Sequence, residues 1–148
     1  MIKISILFFD YKFGRSIMDN INDFLNSIYL GDRYCENIII TDQRILFQIN
    51  CISRLENGTK EWNYYSDADI EHGYLVFDGV IDYCFNTDLV LNDEIYEIKV
   101  IEENDKIFSF VIYGCNVSKD AVCKDIEILI KARKFYILNP KDNSIIIE

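Results

Sequence analysis

A single histidine, His72, lies in the run Asp69-Ile70-Glu71-His72. An imidazole between carboxylates is the material of a metal site, or of a base oriented by an acid. Metal centres recruit several ligands at fixed spacing, and this chain has no second histidine. His72 therefore reads first as a solvated loop residue. Paired carboxylates come next: Asp67/Asp69, Asp93/Glu94 and Glu102/Glu103. Acid–base catalysis needs two carboxyl groups at a set separation inside a cleft. Adjacent acids in turn-like segments usually face water instead. Asp67-x-Asp69-x-Glu71 has the spacing of the start of a calcium loop, without its glycine or its distal glutamate. No G-x-S-x-G elbow occurs, and the six glycines are too scattered for a phosphate loop. The expectation is no catalytic residue, no metal ligand and no cofactor.

The five cysteines are Cys35, Cys51, Cys84, Cys115 and Cys123, an odd number with no C-x-x-C pair. Cys35, Cys51 and Cys84 fall in or beside apolar runs, where a free thiol acts as a small buried hydrophobe. This usage fits a reducing, cytoplasmic compartment rather than a disulfide framework. A Cys–His nucleophile would need His72 beside one of the five, which residue order does not decide. Asn57-Gly58-Thr59 and Asn116-Val117-Ser118 would be glycosylation sequons only in a secreted eukaryotic protein.

Acids and aromatics carry the remaining chemistry. Asp and Glu number 25 against 15 Lys and Arg, a net charge of −10. Such a field repels nucleic acid and anionic membranes and speeds the approach of a basic protein partner. The cluster Trp62-Asn63-Tyr64-Tyr65 could stack on a base or sugar, but only Lys60 is interleaved, so hairpin packing is the better reading. Aromatics ringed by acid suit a partner-binding surface. The residues expected there are Trp62, Tyr64, Asp67, Asp69, Glu71, Glu102, Glu103 and Asp105.

The elements that must position these residues are mostly strands. From Ser16, the apolar positions Ile17, Met18, Ile21, Phe24, Leu25, Ile28 and Tyr29 follow one helical face, and Gly31 supplies a stop. Residues 1–10 read as a first strand, too short and too polar at its end for a signal peptide. Strands are expected over Glu36–Thr41, Ile45–Arg54, Thr59–Tyr65, Tyr74–Phe77, Val80–Phe85, Glu94–Ile101, Ile107–Tyr113, Asp125–Ala132, Phe135–Leu138 and Ser144–Ile147. Asn57-Gly58 is the strongest hairpin turn. Ser66–Gly73 reads as an acidic loop, and 102–106 as a connection. Ser118–Lys134 could be a helix capped by Ser118, but Ile126, Ile128 and Ile130 alternate with period 2 and favour a strand. No linker, repeat or bilayer-spanning run is visible. The expected fold is α+β, mostly β: one domain over 1–148, a twisted antiparallel sheet, curled or sandwich-like, with one main N-terminal helix. The oligomeric state is left open.

Leu30-Gly31-Asp32-Arg33 precedes a β-hairpin, then come Leu75-Val76-Phe77-Asp78-Gly79-Val80 and Ile126-Glu127-Ile128-Leu129-Ile130-Lys131-Ala132. This succession resembles small bacterial β-rich families of unknown function, some of them assigned to the immunity proteins of polymorphic toxin systems. It covers most of the chain from Leu30 onward, and its motifs mark fold positions rather than catalytic ones. The resemblance implies a non-enzymatic binding domain that neutralises a cognate bacterial toxin. Two other readings stay open: a small-molecule-binding protein or enzyme with a pocket near His72, and an assembly module that pairs through exposed strand edges.

Overall fold

The computed structural model describes residues 17–54 and 69–147. Helix α1 spans Ile17–Ser27. Its apolar stripe turns inward, with Phe24 and Leu25 buried and Met18 and Ile21 packed against the core. The chain then leaves the helix two residues before the expected end. Ile28–Tyr29 form a short strand, β1, paired with Arg54 and Ser53.

Eleven further strands follow: β2 (Cys35–Ile40), β3 (Arg44–Ile49), β4 (Cys51–Arg54), β5 (Ile70–Glu71), β6 (Tyr74–Asp78), β7 (Asp82–Phe85), β8 (Ile95–Asn104), β9 (Ile107–Val117), β10 (Cys123–Ala132), β11 (Lys134–Leu138) and β12 (Ile145–Ile146). Among the described residues they make three antiparallel sheets. The orders are β12-β11-β6-β3-β2, β7-β10-β9-β8 and β1-β4-β5. The architecture is thus α+β and mostly β, as the periodicities lead one to expect. The two larger sheets share one core. Phe77 of the five-stranded sheet meets Phe110 of the four-stranded sheet edge-on, with ring centroids 5.0 Å apart. Phe47 and Phe135 flank Phe77 at 5.6 and 5.1 Å. From the helix, Phe24 reaches Phe135 at 5.8 Å. Burying each such ring contributes about 1.5–3 kcal/mol.

The chain crosses between these sheets at one corner. β6 leads into β7 through Gly79, and β10 leads into β11 through Arg133, whose amide donates to the Asp78 carbonyl at 3.0 Å. Gly79 has φ +67, and a Cβ there would lie 3.0 Å from the Arg133 Cβ. Only glycine combines that left-handed backbone with so close an approach. The Asp78 carboxylate ties the corner together. It accepts from the Gly79 amide (2.8 Å) and the Tyr136 hydroxyl (3.2 Å), and pairs with Arg44 Nε at 3.3 Å. Burial and the neighbouring Asp78 charge raise the Tyr136 hydroxyl above its ordinary pKa, so it remains a donor.

Several boundaries differ from expectation. Ile45–Arg54 is not one strand: it breaks at Asn50, and β3 and β4 belong to different sheets. Asn50 exchanges two hydrogen bonds with Tyr34 and accepts from the His72 amide, which pins the break. The inward phase therefore shifts, and Ile52 and Ser53 are buried while Cys51 is half-buried. Part of the expected 66–73 loop is β5, paired with Cys51 and Ile52. The 102–106 connection shrinks to Asp105-Lys106, both at positive φ (52° and 63°), as a two-residue hairpin turn matching strand twist requires. Residues 123–132 form a strand, as their period-2 alternation leads one to expect. Of the three cysteines expected to act as buried hydrophobes, Cys35 is buried, Cys51 is half-buried and Cys84 is exposed on β7; Cys115 is buried as well. The expected first strand and the hairpin at Asn57-Gly58 lie outside the described residues.

Candidate functional site

Helix α1 packs along β8, and one side-chain amide fixes the contact. Asn22 accepts from the Val100 amide (2.8 Å) and donates to its carbonyl (3.2 Å), satisfying both backbone groups of that residue as a neighbouring strand would. Beyond the end of α1, the chain and the start of β8 leave a cleft of about 300 Å³. Leu25 and Ile98 give it apolar walls, and Tyr29, Glu94, Tyr96 and Glu97 supply its polar and aromatic lining.

Local irregularities position those side chains. β8 is bulged between Ile95 and Glu97: these two pair with the consecutive residues Gly114 and Tyr113, leaving Tyr96 as the extra residue. A bulge re-aims the side chain it carries. Opposite it, a Cβ on Gly114 would fall 2.8 Å from the Glu94 carbonyl and 2.5 Å from Leu91, so glycine lets the segment before β8 lie this close. Asn92 strengthens that approach by accepting from the Val117 amide and donating to its carbonyl. Tyr96 is half-exposed, with its hydroxyl 3.3 Å from Cys123 Sγ. Hydrogen bonds to Cys115 and Cys123 hold that hydroxyl well above its usual pKa, so it stays protonated. On the facing side, the Arg33 guanidinium lies 5.9 Å from the Tyr29 ring centroid and donates to Ser53 Oγ at 3.3 Å. Glu97 is 4.0 Å from Lys99, and both are about half-exposed, so water screens that pair and leaves the glutamate available.

The residues expected from sequence to bind a partner do not gather in one place. Trp62, Tyr64 and Asp67 lie outside the described residues. Asp69 and Glu71 are exposed at β5 and line a depression shared with Lys141. Glu102 and Glu103 are not in a loop but in β8, opposite Ser109 and Phe108. Glu102 lines a second depression, shared with Lys131. Asp105 sits in the hairpin turn. Each of these depressions thus contains a lysine, whereas the α1–β8 cleft has no lysine or arginine in its lining.

His72 occupies a turn at φ 56 with its side chain 61% exposed. Its Nδ1 lies 2.7 Å from a Glu36 carboxylate oxygen. That hydrogen bond, with the Glu36 charge, raises its pKa above the ordinary value. Among the described residues no group of three or more His, Cys, Asp or Glu could hold a metal ion. No helix there is long and apolar enough to cross a membrane.

Residues 18–148 match the family of unknown function DUF6258. The chain belongs to that family. No curated protein and no solved structure matches it. The matched region includes every residue lining the α1–β8 cleft.

The sequence offers Glu94 only as half of an acid pair and Tyr29 only as part of the helical face, and gives Tyr96 and Glu97 no role. A signal was present. Tyr96 and Glu97 are consecutive polar or amphipathic residues between Ile95 and Ile98, which breaks period-2 alternation where the bulge occurs.

Proposed function

We propose that this chain is a non-enzymatic binding domain that receives a basic side chain of a protein partner in the α1–β8 cleft. The observation that carries the reading is the lining itself: Glu94 and Glu97 with Tyr29 and Tyr96, no lysine or arginine among the lining residues, and Lys99 meeting Glu97 only in a water-screened contact at 4.0 Å. A lysine or arginine entering such a cleft gains two carboxylates and two aromatic faces. The net charge of −10 supports it, because a field of that sign accelerates encounter with a basic surface. A toxin domain that handles nucleic acid is a partner of this charge type. Neutralising such a toxin is the specific form of the proposal, resting on the resemblance described above.

The test is co-expression with the product of the neighbouring gene in the native genome. The expected result is growth arrest by that product alone, rescue by this chain, and loss of rescue in a Glu94→Gln/Glu97→Gln double variant. Absence of arrest sinks the toxin form. Full rescue by the folded double variant sinks the cleft.

A further inference from the structure

Behind the cleft, at the far ends of β9 and β10, two thiols converge on one hydroxyl. Cys123 pairs in register with Val117, and Cys115 with Asp125. Period-2 geometry puts Cys115 and Cys123 on the same face of this hairpin as diagonal neighbours. Tyr96 crosses from β8 and places its hydroxyl 3.3 Å from Cys123 Sγ, and both thiols act on that hydroxyl to raise its pKa. Under them, Cys115 donates its S–H to Asp93 Oδ2 at 3.5 Å. Cys123 is exposed and Cys115 only 2% exposed, so one thiol meets solvent and the other waits beneath it.

We infer that Cys123 and Cys115 form a peroxide-driven, reversible disulfide at the tip of the β9–β10 hairpin. This site goes beyond the binding reading and does not depend on it. In the first step the Cys123 thiolate attacks hydrogen peroxide. An S–O bond forms, the O–O bond breaks, and the departing hydroxide takes a proton to become water. In the second step the Cys115 sulfur attacks Cys123. The S–S bond forms, the S–O bond breaks, and hydroxide leaves with the Cys115 proton as a second water. Two thiols and one peroxide give one disulfide and two waters, with the sulfurs oxidised by the two electrons the peroxide gains. Burial pushes the Cys115 thiol up to about 11, which keeps it protonated until the sulfenic acid is beside it. Asp93 is placed to accept its proton as it attacks.

Reach is adequate if the strand end moves. Diagonal partners sit about 7–8 Å apart, and a bridge needs Cα atoms within about 7 Å. Cys123–Val117 is the terminal pair of the ladder, and the connection beyond it is an exposed turn closed by Ser118 and Val122. An inward shift there disturbs no interior pair. The other cysteines lack this arrangement. Cys35 is buried and its thiol is pushed up to about 12 by burial, while Cys84 is exposed on β7.

The experiment is oxidation of the purified protein with a few equivalents of hydrogen peroxide, then thiol blocking, trypsin and mass spectrometry. Cleavage after Lys106, Lys119 and Lys124 separates the two cysteines onto peptides 107–119 and 120–124. The expected product is those peptides joined, about 2 Da lighter than their sum, and separated again by dithiothreitol. In Cys123→Ser the link is lost and Cys115 stays a free thiol at the same dose. In Cys115→Ser the Cys123 sulfur advances to sulfinic acid. Sulfinic Cys123 in the unaltered protein without the link overturns the inference, as does a link to Cys84 in equal yield. Equally, oxidation of Cys115 in Cys123→Ser at the unaltered rate overturns the order of attack. Cys123 is on the surface, so that variant keeps the test decisive even where Cys115→Ser fails to fold.

Discussion

The two ends of β8 are both acidic, and they are built differently. At one end Glu94 and Glu97 flank a bulged tyrosine beside α1 and line a concavity. At the other, Glu102, Glu103 and Asp105 run out along a hairpin to a two-residue turn in water. The charges are of one kind, but the surroundings are not. The first end has apolar walls from Leu25 and Ile98 and aromatic faces from Tyr29 and Tyr96. The second has a lysine, Lys131, in the same depression as Glu102. Acid alone makes a solvated surface. Acid with a concave aromatic wall and no cation among the lining residues makes a place for someone else's cation.

The strongest way to break the contrast is to remove what anchors α1 in the core beside β8. Phe24→Ala deletes a buried ring that meets Phe135 of β11 edge-on and is expected to cost about 3–5 kcal/mol in chemical denaturation. Hydrogen exchange in that variant should quicken in the Ile95–Val100 half of β8 and not around Asn104. Uniform quickening along β8 would erase the distinction. Asn22→Ala leaves the ring and removes only the amide pairing with Val100. The part-buried amide and carbonyl of Val100 each lose a partner, at about 1–3 kcal/mol. A cost within error of zero would show that water replaces Asn22.

Charge removal sharpens the contrast without unfolding anything. Titrated with an arginine-rich peptide, Glu94→Gln/Glu97→Gln should weaken binding roughly tenfold, the scale of one charge-assisted contact. Glu102→Gln/Glu103→Gln should change it only by the small factor of a screened surface charge. Equal losses from both pairs would place recognition in overall charge. The smallest effect is at Glu36, an acid whose cation is already present. Its hydrogen bond raises the His72 pKa, so the pair's contribution is fully present below about pH 6.5, the ordinary histidine value, and fades as pH rises through the elevated one. A proton NMR titration should give a His72 midpoint above that value and a lower one in Glu36→Gln. Identical midpoints would show that the pair does not persist in solution.

How much of this is written locally in the chain varies by element. Helix α1 and strand β10 declare themselves, because 3.6- and 2-residue periods survive wherever one face is buried. The break at Asn50 does not, since alternation across residues 45–52 looks the same whether or not the strand changes sheet. The hairpin between β8 and β9 is legible, but its tightness is not, because neither Asp105 nor Lys106 is the glycine or asparagine that advertises positive φ. That put Glu102 and Glu103 in a loop rather than a strand. The cleft is the least legible part. Its walls come from residues 25–31 and 94–98, which meet because Asn22 ties the helix to β8 while Phe24 anchors it in the core against Phe135. Nothing in a residue's own neighbourhood records a meeting across that sequence distance.

The pairing of Asn22 with Val100 has one further consequence. β8 borders its sheet, and a border with free amide and carbonyl groups invites a strand from another molecule. Here one side chain imitates a short piece of that missing strand, on the residue after which the register slips. The chain terminates its sheet with a single residue standing in for a neighbour. A substitution at Asn22 would therefore be felt between molecules as well as within one, as concentration-dependent self-adhesion along β8.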